Sequence, residues 1–486
     1  LSGTTLARHA SSWQGRWEGF LRRADLVLPL LLYLALRLPS WFEPHWYSDE
    51  SGYATTAWLS THGSTLYLTV WNNKPPLLFW IYDVVLWLFG RGEFGLHLLS
   101  TVTGLAALAA LWRLLRIRYR GMRMFLPMAL AAVLLGLPLL NGDLALPENF
   151  LIAPEAAAML CLLWALTSVR SRPALLAAAG SGVIFGLACL IQQTSLGPAA
   201  LAVFLLLVVR GRPGISQAAA LLAGLAVVVV AGVAPYLFWA GPHNVYYFLV
   251  QSYQVYTSSS LPLTPLMLMP RAAAALLMLA GIYWRRHHDP LRLLALAWLV
   301  CELLVYALPN RPYAHFLLPA VVPACLLLAA ARIPHPSHWP WRRLARRALP
   351  ASLTAVVGLW VALALVSPSS GSTVVLTLRY YPTFVKEATG SLSTAQFDGM
   401  FGTGTVAEAK AVAWIKRNHL QGLTALAWAD DAWPYLLGDL APVVPSPAIY
   451  VDQTWLGDQG LERLVKSASP DVVYSSHPPA ELASWL

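Results

Sequence analysis

The chain alternates long apolar runs with short polar breaks. Runs of eighteen or more apolar residues recur from residue 24 to residue 366, a spacing that predicts membrane-spanning helices, about eleven in all, the first over 24–40 and the last over 349–366. Two stretches inside this region are too polar or too aromatic for a clean span. Residues 50–62 and 75–89 read as amphipathic helices lying at the interface, a roof outside the first span. After Ser367 the pattern changes again: helix-like stretches at 406–418 and 461–468 alternate with β-prone runs at 423–429, 443–446 and 472–475, bounded by Pro, Gly and Asp. The expected organisation is a basic interfacial segment over 1–23, an α-helical polytopic membrane domain over 24–368 with outer helices at about 50–90, and a soluble α/β domain over 369–486.

Composition supports this class and charge orients it. Hydrophobic residues make up 57% of the chain and charged residues only 12%. The net charge of +10 suggests a polyanion partner at first sight, but the arginines cluster in alternate short loops: 113–123, 170–172, 210–212, 285–286 and 332–347. The intervening loops carry almost no positive charge, so the excess is a topology signal and not a nucleic-acid footprint. It places the N-terminus in the cytoplasm and the tail from Ser367 outside the inner (plasma) membrane. Cys161, Cys189, Cys301 and Cys325 all lie within apolar runs and read as helix residues, not as a disulfide or metal framework.

Against so little charge, a few outer polar residues stand out. Asp49 and Glu50 follow the first span directly, where a partly desolvated carboxylate can act as a general base; Asp49 also suits the N-cap of the next helix. Lys74, before two prolines in an aromatic stretch, suits a phosphate; it equally suits a lysine snorkelling to headgroups. Glu148 stands at an outer helix mouth near Asp143, which reads as a turn residue, and Gln192 and Gln193 end a span, where interhelical hydrogen bonding competes with a ligand role. Arg311, Tyr313 and His315 share an outer loop in which topology disfavours a cation, so an anionic ligand is the best reason for it. Carboxylates and cations on one membrane face suit transfer of a group from a membrane-held, phosphate-linked donor. A transporter or lipid-linked sugar flippase would instead place charges near the bilayer midplane, often in paired repeats. A non-catalytic scaffold would leave Asp49, Lys74 and Arg311 unexplained as a set.

The motifs D-E-x-x-Y-A at 49–54 and K-P-P-L at 74–77, the Glu148 loop, R-x-Y-x-H-F-x-x-P at 311–319 and the outer tail together resemble the GT-C glycosyltransferases of the lipid A aminoarabinose transferase and protein O-mannosyltransferase group. The resemblance implies an inverting glycosyltransferase that moves a sugar, mannose or a pentose such as arabinose, from a polyprenyl-phosphate carrier to the hydroxyl of a lipid, glycan or protein acceptor, without nucleotide or cofactor. It maps the catalytic base onto Asp49, with Glu50 beside it, and the donor-phosphate site onto Lys74, with Arg311, Tyr313 and His315. Tyr53, Glu148, Gln192 and Gln193 are expected around the sugar or acceptor. Gly52, Asn73 and Gln192 depart from residues common in aminoarabinose transferases, which argues against aminoarabinose on lipid A.

Overall fold

The structure, a computed structural model, describes residues 24–252, 289–307, 313–330, 368–429, 431–475 and 482–485. The basic segment 1–23, Arg311 and the expected span at 349–366 lie outside the described residues. So do all the arginines of the clusters at 285–286 and 332–347, which leaves the span total open.

Six helices among the described residues are long and apolar enough to cross a membrane: α1 (Ala24–Phe42), α4 (Glu93–Arg116), α6 (Pro147–Thr167), α7 (Ser171–Ile191), α8 (Gln193–Arg210) and α9 (Arg212–Trp239). Between α1 and α4 lie the shorter α2 (Ser48–Thr61) and α3 (Pro76–Phe89), and α5 (Met122–Gly136) precedes α6. A short α10 (Pro242–Tyr246) follows α9, and α11 (Pro290–Ala307) and α12 (Ala314–Ala330) add two further apolar helices. The order of burial within the bundle is steep. Some 61% of the α6 and α7 windows is buried but only 17% of α9, so α6 and α7 form the centre and α9 turns Leu222, Val227, Val230, Phe238 and Trp239 outward, as a lipid-facing helix requires.

Small residues set the closest approaches. A Cβ at Gly182 of α7 would lie 1.9 Å from the Leu221 carbonyl oxygen of α9, and one at Gly224 would lie 2.5 Å from the Ala179 carbonyl oxygen. Without an aqueous driving force between spans, this backbone contact is what dispersion has to work with.

The chain after α12 continues with α13 (Pro368–Ala388), α14 (Thr394–Asp398) and α15 (Thr403–Arg417). It then builds a three-stranded parallel sheet in the order β2-β1-β3 from β1 (Thr424–Trp428), β2 (Ala441–Pro442) and β3 (Val472–Ser475). α16 (Trp433–Gly438) connects β1 to β2, α17 (Ile449–Ala468) connects β2 to β3, and α18 (Leu482–Trp485) follows. The expected strand over 443–446 is absent. Val443 N–H still donates to Ala425 O at 2.9 Å, but Pro442 and Pro445 have no N–H to offer, and the Pro445 carbonyl accepts from Trp71 N–H at 2.9 Å instead. The helix before β3 is correspondingly longer than expected. It begins at Ile449 and bends at Gly457, whose φ of +65° breaks the helical run.

This C-terminal module is fastened to α2 and α3. Trp433 and Leu436 of α16 are fully buried in one apolar cluster with Ala54 and Ala57 of α2 and Leu78, Phe79 and Tyr82 of α3. Ser51 Oγ accepts from Ala432 N–H at 2.8 Å, Thr55 Oγ1 donates to Ala432 O at 3.1 Å, and Arg91 bonds the Asp439 carboxylate at 2.8 Å.

Candidate active site

α2 opens with Ser48-Asp49-Glu50, and its first turn sends the two carboxylates to different places. Asp49 faces a cavity also lined by Tyr53, Asn73, Lys74, Glu148, Gln192, Tyr313 and His315. Of the site residues expected from the sequence, these gather on one wall system. Glu50 turns away into the protein: it is fully buried, accepts from the Ala145 N–H and lies 3.1 Å from His97 Nε2, whose other ring nitrogen meets Ser40 O at 2.5 Å. Glu50 therefore ties α2 to α4 and to the loop before α6, and does not reach the cavity. Gln193 is likewise outside the lining; its amide donates to Asn73 O at 2.7 Å and braces the loop that carries Lys74.

That loop is shaped by its own chemistry. Asn72 Oδ1 accepts from Lys74 N–H at 3.2 Å, an Asx-type turn, and Tyr67 OH donates to Lys74 O at 2.7 Å. Pro75 is extended and Pro76 occupies the first helical position of α3, where a missing N–H costs nothing. Lys74 Nζ ends 5.9 Å from the centre of the Tyr53 ring. Across the cavity, Gln192 Nε2 donates to Glu148 Oε1 at 2.8 Å, and the His315 ring stacks on Tyr313 at 5.6 Å with an interplanar angle of 8°.

Burial pushes the Asp49 carboxyl above its ordinary 3.8; His315 and Lys74 pull it back by favouring the charged form, and Glu148 and Glu50 add to the rise. A carboxylate so placed is a better proton acceptor than a free one. Arg37 is fully buried and donates to Thr101 Oγ1 at 3.1 Å, to the His97 carbonyl at 3.1 Å and to the Gly142 carbonyl. Asp143, expected to be an ordinary turn residue, is buried beside this guanidinium; burial raises its carboxyl to about 6 against the pull of Arg37.

Two acidic residues of the cavity escaped the sequence reading. Glu155 of α6 and Glu302 of α11 line the deep end, with Ser195 Oγ donating to Glu155 Oε1 and Trp298 Nε1 to Glu302 Oε1, each at 2.7 Å. A lone acid inside an apolar helix is the signal that marks them.

Over residues 73–239 the sequence matches the family of dolichyl-phosphate-mannose-protein mannosyltransferases. The whole fold is similar to ArnT from Cupriavidus metallidurans. In the apo state the TM-score is 0.54 at 17% identity, covering 93% of each chain; bound to undecaprenyl phosphate it is 0.52 at 18% identity, covering 92% of this chain and 89% of that one. The chain has a GT-C glycosyltransferase fold. The archaeal oligosaccharyltransferase AglB from Archaeoglobus fulgidus, solved with an inhibitory peptide and a dolichol-phosphate, shares the fold at a TM-score of 0.50 and 11% identity, over 94% of this chain and 70% of its own. No curated protein matches the sequence. The matched segment begins at Asn73, beside Lys74, and ends with α9, so it contains the Lys74, Glu148 and Gln192 walls of the cavity but not Asp49.

Proposed function

We propose that the protein is an inverting membrane glycosyltransferase that moves a sugar, mannose or a pentose such as arabinose, from a polyprenyl-phosphate carrier to an acceptor hydroxyl on the outer face of the plasma membrane. The observation that carries this reading is the placing of the Asp49 carboxylate and the Lys74 ammonium on one cavity with His315. Asp49 takes the proton of the acceptor hydroxyl as its oxygen attacks the anomeric carbon. The bond to the phosphate oxygen breaks in the same displacement, which inverts the configuration, and polyprenyl phosphate leaves with the electron pair. Lys74, with Arg311, His315 and Tyr313, meets the charge that collects on that phosphate, a preorganised stabilisation that commonly dominates such reactions. Tyr53, Glu148, Gln192 and the deeper Glu155 offer hydrogen bonds to the sugar. The similarity to ArnT, solved with undecaprenyl phosphate, and to AglB, solved with dolichol-phosphate, supports a lipid-phosphate carrier. In this reading residues 24–368 form the catalytic membrane domain and residues 369–486 an extracytoplasmic α/β domain.

The test is release of free polyprenyl phosphate from a panel of polyprenyl-phospho-sugars by the purified protein and by Asp49→Asn. The substitution keeps size and hydrogen bonding but removes the proton acceptor, so donor binding should persist while turnover falls roughly 10²–10⁴-fold. Wild-type turnover should fall on acidification with a midpoint above the ordinary Asp value, because only the ionised form accepts a proton. Near-normal turnover of Asp49→Asn at saturating donor would sink the assignment.

A further inference from the structure

A second concavity meets the first at Asp49. Its membrane-side wall is Ser48, Gly52, Trp71 and Asn72; its outer wall is 446–455, the start of α17 and the turn before it. Asp49, Tyr53, Asn73 and Tyr450 line both, so the proposed base stands where the two open into each other. The two walls are held in register by the Trp71 N–H to Pro445 O bond and by the aromatic contact of Trp71 with Trp455, 5.9 Å apart. Trp455 is itself wedged on Phe248 at 4.9 Å, so its ring is fixed before any ligand arrives.

The chemistry of the lining is selective. Trp71, Trp455, Tyr53 and Tyr450 supply aromatic rings, and Asn72, Asn73, Ser446 and Thr454 supply neutral amides and hydroxyls; among the described lining residues Asp49 carries the one charge. A phosphorylated or carboxylated acceptor would bring an anion to a carboxylate with no lining cation to offset it. A sugar suits the same wall, because its C–H faces pack on aromatic rings while its hydroxyls both donate to and accept from amides and hydroxyls. Resting on the glycosyl-transfer reading above, we propose that this groove is the acceptor subsite and that it takes an uncharged glycan, one of whose hydroxyls it delivers to Asp49.

The test uses the full-length protein in nanodiscs and saturation-transfer NMR with four probes: uncharged trisaccharides of mannose and of arabinose, a mannose trisaccharide bearing a phosphate monoester, and a serine-containing peptide. An uncharged trisaccharide should give the strongest transfer. Trp455→Ala should weaken its binding tenfold or more, Trp455→Phe should restore most of it, and Trp414→Ala, at an exposed site on α15, serves as the folded control. Tighter binding of the phosphorylated probe or of the peptide would overturn the proposal, as would no saccharide binding, or saccharide binding unchanged in a folded Trp455→Ala protein. The readout needs no donor, so failure of donor turnover rejects the chemistry without touching this result, and loss of saccharide binding in a protein that still releases polyprenyl phosphate rejects the groove alone.

Discussion

Asp49 and Glu50 are neighbours in the chain and opposites in surroundings. One faces a cavity with Lys74 and His315; the other is sealed against His97 and the Ala145 N–H, a buried acceptor that would be costly to leave unpaired. Residue type and order could not separate them, because which carboxylate faces the ligand depends on the helical phase of α2 against α4. Lys74 was legible for a physical reason, a cation among aromatics and prolines on the cation-poor side, as His315 was beside Arg311; Glu148 was legible as a polar residue at a helix mouth. Glu155 and Glu302 were not, since each is one acid in an apolar run. Lys74→Ala should weaken donor binding and slow transfer together, the latter by roughly 10²-fold, because the same ammonium faces the phosphate in the ground state and in the transition state. Titrating donor binding alongside single-turnover transfer separates this double defect from the single one of Asp49→Asn.

At the scale of elements, the apolar spacing named the helices well and their partners not at all. That α7 lies on α9 follows from Gly182 and Gly224, and a sequence with many glycines does not advertise which of them meet a carbonyl. Gly182→Val should force α7 from α9 and cost on the order of 1–3 kcal/mol, read as a lower melting temperature in detergent, whereas Gly180→Ala, with open space at its Cβ in mid-helix, should leave the melting temperature unchanged or raise it slightly. The C-terminal module has its own titration. Burial, with a smaller contribution from the adjacent, hydrogen-bonded Asp431, raises Glu408 of α15 to about 10. Glu408 is thus protonated in the folded protein and ionised in the unfolded chain above its ordinary 4.5. Its contribution is complete below that value and is lost as pH climbs toward 10. Glu408→Gln cannot ionise, so its melting temperature should change less than that of the wild type between about pH 5 and about pH 9, with the variant the more stable at the upper end.

For the whole molecule, the arginine loops predict one orientation. A cysteine replacing Asp398, on a background without native cysteines, should react with an impermeant reagent from outside the cell and one replacing Arg123 should not; the reverse pattern would invert the topology and move the proposed chemistry to the cytoplasm. The C-terminal module was readable as a change of character after Ser367, but its seat was not, because the bonds that fix it join residues remote in sequence. The Ser51–Ala432 pair spans 381 positions. At synthesis rates of about 5–20 residues per second, the ribosome reaches Ala432 roughly 20–80 s after Ser51. Through that interval the helix bearing the proposed base is already made while its partner is not, so the pairing acts as a built-in timer: the seat of α16 on α2, and with it the proposed acceptor groove, forms only once Ala432 has been delivered, and a chain ended before it cannot have it.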